Sequence, residues 1–459
     1  MQVYSTLARA LVPLDIENGQ VTIYVCGPTV QSEPHLGHGR SAVAFDVLRR
    51  YLEWLGNEVV FLRNVTDVDD KIIARAQELG ISTDEVAARA FETFDKGYTL
   101  LGNLPPTLEP RATEHIGGMI DLIESLIESG NAYESGGDVY FAVRSFDRYG
   151  ALSRHDLDDL RAGDRVEPGD KKRDPLDFAL WKASKPGEPS WDSPWGGGRP
   201  GWHIECSAMA VEYLGQPFDI HAGGTDLIFP HHENEIAQSE AVSGVPLARY
   251  WMHNGMLNLR GEKMAKSTGH VVTLLESLER WDPLAVRLFY LRTHYRKPLD
   301  FSEDALDDAE ASLQRLRAFR RRFDDPVEAV PDAEVLGAFS AAMDADLDVA
   351  GALAVIFDLV RHGNAALDAG DDASGLAAAF DVMIGVLGLN AGADDTSLDV
   401  SGIAADLGVD ASSVEDLVAL REDARDARDW DRADAIRDRL AEAGIVVEDT
   451  ADGARWHRG

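Results

Sequence analysis

Val21-Thr22-Ile23-Tyr24-Val25 is a β-branched and aromatic run that reads as a strand, and residues 58–65 read as the next one. Between them the chain turns through Pro28 and Pro34. From about 37 to 55, apolar residues at Val43, Val47, Leu48, Tyr51 and Leu52 then recur with the spacing of one helix face. Strand, glycine-containing turn, helix, strand is a βαβ unit, whose two strands run parallel with the helix across them. The expected fold class is therefore α/β, built on a Rossmann-like parallel sheet with its ligand crevice at the carboxyl ends of the strands. Residues 218–226 form a further strand ending in Gly223-Gly224, where a nucleotide backbone can approach closely. His35 and His38 fall where the first helix begins, and helix N-termini bind phosphate.

Only two cysteines occur, Cys26 and Cys206, and both are flanked by glycine, proline or polar residues. An isolated cysteine is most often a small buried hydrophobe. Here Pro230-His231-His232-Glu233-Asn234-Glu235 adds His231 and Glu235, four residues apart and so on one face of a helix. Two thiolates, an imidazole and a carboxylate would suit a zinc ion. The two cysteines could also pair with each other, although a chain of 459 residues needs no such bond.

With 45% apolar residues the chain is globular and long enough for several domains. Residues 113–201 break the strand–helix rhythm with short strands such as 138–143 and a Gly/Pro/Trp-rich stretch from 187 to 201, which reads as an insertion. Beyond Phe301 the sequence turns helical, and a Gly/Asp-rich passage from 387 to 409 reads as a linker. The N-terminus has no basic region followed by an apolar core, and no apolar run approaches the roughly 20 residues of a spanning helix. A cytoplasmic enzyme without membrane attachment is expected.

The net charge of −36 is spread along the chain, with nine lysines against thirty-five arginines. That pattern reads as adaptation to a salt-rich interior, where screening lengths fall to about 3 Å at 1 M, rather than as an acidic tail. Basic residues nevertheless cluster at Arg287, Arg292, Arg296 and Lys297, and again at Arg315, Arg317, Arg320, Arg321 and Arg322. The second group follows a helical pattern and reads as a solvated face. The first is favoured as a phosphate-backbone contact.

His35-Leu36-Gly37-His38 resembles the His-Ile-Gly-His signature of class I aminoacyl-tRNA synthetases, and Lys263-Met264-Ala265-Lys266-Ser267 resembles their Lys-Met-Ser-Lys-Ser loop. In this order, with a strand–helix–strand context around the first, the pair is specific. Longer strings resemble the cysteinyl-tRNA synthetases within that class: Asn64-Val65-Thr66-Asp67-Val68-Asp69-Asp70-Lys71, Gly187-Glu188-Pro189-Ser190-Trp191, residues 201–209, and Phe229-Pro230-His231-His232-Glu233-Asn234-Glu235-Ile236-Ala237-Gln238. The resemblance covers nearly the whole chain.

It implies ATP-dependent ligation of L-cysteine to tRNA(Cys) through a cysteinyl-adenylate, with Mg²⁺ accompanying ATP. It also implies one Zn²⁺ per chain, held by Cys26, Cys206, His231 and Glu235. His35, His38, Lys263 and Lys266 would carry catalysis; His35, His38, Asp226 and Lys266 would bind ATP; Thr66 and Trp202 would bind cysteine. A substrate sulfur can join zinc where a serine hydroxyl resists doing so. Shape alone would separate the two by only about 1–3 kcal/mol, so coordination removes the need for an editing domain.

The organisation implied is a catalytic domain at 1–112 and 202–252, the insertion at 113–201, a stem-contact region with the signature loop at 253–312, a helical bundle at 313–400, and an anticodon-binding module at 401–459. Two departures stand out: Ala265 replaces the usual loop serine, and Val30-Gln31-Ser32-Glu33-Pro34 lacks the Tyr-Asp pair common before the histidine signature. Two other readings are a ligase that couples cysteine to an amino sugar and a non-catalytic zinc-bearing tRNA-binding protein. The first would lack the anticodon module, which residues 417–456 resemble, and the second would have lost the histidines or lysines.

Overall fold

A computed structural model describes residues 1–155, 171–259, 262–263, 273–323, 326–390, 403–404, 407, 409, 411, 414–442, 445–450 and 453–458. The chain forms two units, Met1–Leu389 and Asn390–Gly459. In the first, the hairpin of β1 (Gln2–Ser5) and β2 (Ala10–Pro13) precedes β3 (Gln20–Val25), α1 (Leu36–Trp54) and β4 (Glu58–Arg63). β3 and β4 pair in parallel, from Val21 opposite Val59 to Val25 opposite Arg63, and form the expected βαβ unit. β4 stops two residues short of the span read from sequence. The Val65 and Thr66 amides turn away instead, to the Pro110 and Pro28 carbonyls. α1 buries Leu36, Val43, Val47, Leu48, Tyr51 and Leu52, each contributing about 1.5–3 kcal/mol of transfer free energy.

The helical pair α2 (Asp70–Leu79) and α3 (Thr83–Leu100) follows. α2 ends on Gly80 at φ 66°, a left-handed conformation that glycine adopts without strain, and the Ser82 hydroxyl caps α3 by accepting from the Glu85 amide. The insertion comprises α4 (Ile116–Glu128) and an antiparallel sheet of β5 (Ala132–Ser135), β6 (Asp138–Phe141), β7 (Phe178–Ala183) and β8 (Gly198–Pro200). Ile116, Met119, Ile123 and Leu126 of α4 share a core with Val139, Phe141, Leu180 and Trp181.

The chain then re-enters the parallel sheet through α5 (Trp202–Leu214), β9 (Phe218–Gly224), α6 (Glu233–Ser243) and β10 (Ala248–Asn254), giving the strand order β10-β9-β3-β4. All four strands are parallel, so their carboxyl ends line one edge. Cys26, Asn64, Thr225 and Gly255 are the first residues beyond those ends.

A three-stranded sheet joins β11 (Leu257–Leu259) to β12 (Glu262–Lys263) and, across α7 (Leu274–Arg280) and α8 (Pro283–Leu291), to β13 (Leu299–Phe301). Four further helices complete the unit: α9 (Glu303–Arg320), α10 (Ala333–Asp344), α11 (Val349–Ala369) and α12 (Ser374–Leu387). Most of the predicted linker lies outside the described residues. The second unit has helices Val414–Asp426 and Trp430–Glu442 and a hairpin of β14 (Ile445–Thr450) and β15 (Gly453–Arg458), around a core of Val414, Leu417, Val418, Ile436, Leu440 and Ile445. Among the described residues no helix is long and apolar enough to cross a membrane.

Candidate metal centre and nucleotide site

Cys26 leaves the end of β3, where its amide continues the sheet by donating to the Ala222 carbonyl at 3.1 Å. Cys206 lies one turn into α5, His231 in the turn before α6, and Glu235 in the first turn of α6. These four residues, 180 positions apart at the extremes of the cysteine pair, converge: one donor atom from each lies within 4.8 Å of the others. The sulfurs are 3.9 Å apart, too far for a disulfide, and both cysteines are free. Cys26 Sγ is 3.5 Å from Glu235 Oε1, and His231 Nε2 is 3.1 Å from the same oxygen. Tetrahedral zinc with bonds of about 2.0–2.3 Å separates neighbouring donors by roughly 3.3–3.8 Å, so the array fits with small shifts.

The charges point the same way. Burial, the Cys206 sulfur and Glu235 push the Cys26 thiol well up. The hydrogen bond from Cys26 pulls the Cys206 thiol down, but burial and the Glu235 charge outweigh it and leave that thiol raised. Burial and neighbouring imidazoles hold His231 well below its usual value, leaving it neutral. Three would-be anions with no Lys or Arg ion pair among the described residues favour a divalent cation. A bound cation draws protons off thiols and takes neutral imidazole as ligand.

Around this array lies a second layer that sequence reading missed. The second oxygen of Glu235 bonds His221 Nε2 at 2.8 Å, and His231 Nδ1 meets His203 Nδ1 at 2.8 Å. His232 Nε2 lies 3.3 Å from Cys26 Sγ, and its Nδ1 meets His253 Nε2 at 2.8 Å. His253 in turn bonds the Thr6 hydroxyl at 2.7 Å. His221 stacks on Trp251 with centroids 4.4 Å apart. Cys26, His221, His232 and Glu235 also lie within 4.8 Å of one another, so the pocket is dense in donors. Burial pushes His203 and His253 down to about 3. His232, adjacent to His231 in the His-His pair, was the one signal in the sequence.

The predicted substrate residues border the array. Trp202 opens α5 and stacks on His231, with centroids 4.1 Å apart. Thr66 is buried after β4. Its hydroxyl accepts from Asn64 Nδ2 at 3.3 Å, and its backbone pairs with residues 28–30 of the loop leaving Cys26. Gly27 permits that approach: a Cβ there would lie 1.6 Å from the Asn64 carbonyl oxygen.

His35 caps α1, its Nδ1 accepting from the Gly37 amide at 3.1 Å, while His38 Nδ1 accepts from the His35 amide at 3.1 Å. The rings stack at 3.8 Å. With both Nδ1 atoms accepting, each neutral ring carries its proton on Nε2 and can donate to an anion at the helix N-terminus. Asp226 sits in a single 3₁₀ turn after β9, its carboxylate folded so close to Gly224 that a Cβ there would lie 2.5 Å from Oδ1. Lys263 ends β12, opposite Asn258; its side chain is not described, and Lys266 lies outside the described residues.

One expectation is corrected. Arg287 is fully buried and pairs with Asp46, its Nε donating to the Leu387 carbonyl at 2.8 Å, so it cannot meet a phosphate backbone. Arg296 pairs with Asp346 but stays partly exposed, and Arg292 and Lys297 are exposed, so Arg287 alone is excluded as a phosphate contact. In the second cluster Arg317, Arg320 and Arg322 pair with Asp282, Asp381 and Asp368. A cleft of about 680 Å³ between the α2–α3 turn and the insertion, lined by Val68, Ile81, Asp84, Glu188 and Trp191, contains none of the predicted site residues.

Residues 13–311 match the family described as tRNA synthetases class I (C) catalytic domain, residues 338–391 match the DALR domain, and residues 411–456 match the cysteinyl-tRNA ligase anticodon binding domain. The chain is 48% identical over 476 residues to a cysteine–tRNA ligase of Geobacter sulfurreducens, covering 99% of each. It is 47% identical over 471 residues to one of Streptomyces avermitilis, covering 100% of this chain and 99% of the relative. Among solved structures it resembles Mycobacterium tuberculosis methionyl-tRNA synthetase in complex with methionyl-adenylate. The TM-score is 0.58 at 16% identity, over 86% of this chain and 96% of the other. A leucyl enzyme–tRNA complex from Agrobacterium radiobacter gives 0.60 at 12% identity, over 82% and 84%. These two show the class I fold alone.

Proposed function

The chain belongs to the cysteine–tRNA ligase family, and on that premise we propose that its half-buried Cys26 and buried Cys206, His231 and Glu235 hold one Zn²⁺ that selects the substrate by its sulfur. The reaction is ATP-dependent ligation of L-cysteine to tRNA(Cys) through a cysteinyl-adenylate. The full-length relatives and the anticodon-domain match at residues 411–456 leave the amino-sugar and non-catalytic readings without support.

The observation that carries the zinc reading is convergence: thiols from two distant segments, an imidazole and a carboxylate meet in a buried pocket at the carboxyl edge of the sheet. Zinc would supply a soft Lewis acid for a thiolate and a poor one for a serine hydroxyl. The protein's residues do the rest. Trp202 and Thr66 wall the amino acid, while Glu235, steadied by His221, and His231, steadied by His203, orient the donors.

Attack of the cysteine carboxylate on the α-phosphate builds charge on phosphate oxygens, so catalysis is positioning plus electrostatic stabilisation. In this reading the Nε2–H groups of His35 and His38 and the N-terminus of α1 bind that charge, Lys263 and Lys266 stabilise the departing pyrophosphate, and Asp226 lies toward the adenosine. Mg²⁺ would come with ATP. The cytoplasm, where charged tRNA is consumed, is the compartment proposed. Cysteine-dependent exchange of pyrophosphate into ATP, measured with zinc content, tests the reading. Exchange without zinc would contradict the selection mechanism.

A further inference from the structure

We propose that Arg40 is a positioning residue for adenylate formation, fixing the root of the hairpin that carries Lys263 to the helix that carries His35 and His38. This role rests on the synthetase reading of the site. Arg40 lies one turn into α1 and is 2% exposed. Among the described residues it makes no ion pair. Its guanidinium instead donates to three backbone carbonyls: Met256 at 2.9 Å, Tyr295 at 3.3 Å, and Lys297. Burial without a carboxylate holds its pKa down to about 10. Keeping a charge there is costly, and a leucine or methionine would fill the volume without that cost. The charge therefore has a task that packing does not perform.

The three carbonyls identify it. They belong to two chain segments that cross at Gly255, where a Cβ would lie 2.4 Å from the Lys297 carbonyl oxygen. One segment runs directly into β11 and hence into the β11–β12 hairpin; the other runs into β13, which pairs with β11 in parallel. The crossing holds itself together without Arg40, since the Tyr295 carbonyl also accepts from the Gly255 amide at 2.8 Å and the Met256 carbonyl from the Leu299 amide at 2.9 Å. What Arg40 adds is the link from the crossing to α1.

The far end of the same stretch is fastened to the same helix start. Leu274 donates to the Pro34 carbonyl at 2.8 Å, and Thr273 forms a bridge with His35. Tyr290 adds a third tie through its hydroxyl, 2.8 Å from the Leu36 carbonyl. Described residues on both sides of the lysine signature, Met256 before it and Thr273 and Leu274 after it, are thus bonded to the histidine helix or its start. Arg40 makes the first of those attachments, and its planar fork spans three carbonyls that a single ammonium cannot.

The test is cysteine-dependent ATP–pyrophosphate exchange by the full chain, compared with Arg40→Met and Arg40→Lys. A misplacement of about 1 Å costs on the order of 10²-fold in rate, so kcat of Arg40→Met should fall by that order. Its zinc content and its ATP-free affinity for cysteine should be unchanged. Arg40→Lys should recover part of kcat, and it reads the same split if Arg40→Met does not fold. Unchanged kcat in Arg40→Met, or an equal loss of cysteine affinity, would overturn the role while leaving the synthetase reading intact. Absence of exchange in the unaltered chain would overturn both.

Discussion

The indole of Trp202 lies on the imidazole of His231, with ring centroids 4.1 Å apart and planes 21° from parallel. One ring opens α5 and the other precedes α6, so the stack joins the proposed amino-acid wall to a proposed zinc ligand. Such a pair is worth about 0.5–1.5 kcal/mol beyond its buried area. Trp202→Ala should therefore cost about 0.5–1.5 kcal/mol of stability through the lost stack and, with the proposed wall gone, raise KM for cysteine while zinc stays bound. A normal KM in exchange kinetics would reduce the indole to packing.

Glu235 uses both oxygens, one toward His231 and Cys26 and the other toward His221. Removing such an outer partner typically costs 10–100-fold in metal affinity, and a loss of about that size is expected for His221→Ala. Competition against a chromophoric chelator measures it. Affinity equal to that of the unaltered protein would assign His221 to the core alone.

Arg287 and Asp46 form a buried pair joining α8 to α1, with Asn103 and the Leu101 and Leu387 carbonyls sharing the guanidinium. Asp46 keeps Arg50 and the Leu104 amide when Arg287 is truncated, so Arg287→Met should lose less than a stranded buried charge would, about 1–3 kcal/mol in urea unfolding. Because the guanidinium never reaches solvent, the salt dependence of tRNA binding should keep its slope. A shallower slope would restore Arg287 as a phosphate contact.

Acid should destabilise the metal-free protein in a defined window. His253 is held near 3 in the fold, by burial first and then by the His221 imidazole, against about 6.5 when unfolded. Below pH ~6.5 the unfolded chain binds the extra proton, so the contribution of His253 is fully present above that value and falls by about 1.4 kcal/mol per unit until pH ~3, in addition to that of His203. His253→Gln should flatten the dependence of the urea midpoint on pH. An equally steep profile in the variant would remove His253 as a cause.

Much of this was legible in the sequence because its signals are local. The β-branched run at 21–25 and the helical spacing of Val43, Val47 and Tyr51 reflect periodicities that burial imposes on neighbouring residues. His221 and His253 carried no such mark: each sits in a parallel strand whose residues are largely buried on both faces, and only the tertiary packing of residues 232–235 against β9 and β10 sets them beside Glu235 and His232. Arg287 misled for the opposite reason. A cationic cluster in an acidic chain suggests a surface, yet the Asp46 that neutralises it lies 241 positions away. Arg40 was silent too, because its partners are backbone carbonyls that any sequence could supply.

In the proposed function, four protein ligands choose the substrate through a metal. The direct measurement is pyrophosphate exchange with cysteine and with serine, before and after zinc removal, alongside zinc analysis of the protein and of Cys206→Ser. The expected result is one zinc per chain, exchange supported by cysteine and not serine, loss of exchange on chelation with recovery on adding zinc, and loss of zinc in Cys206→Ser. Full cysteine-dependent exchange by zinc-free protein, or equal exchange with serine, would contradict it.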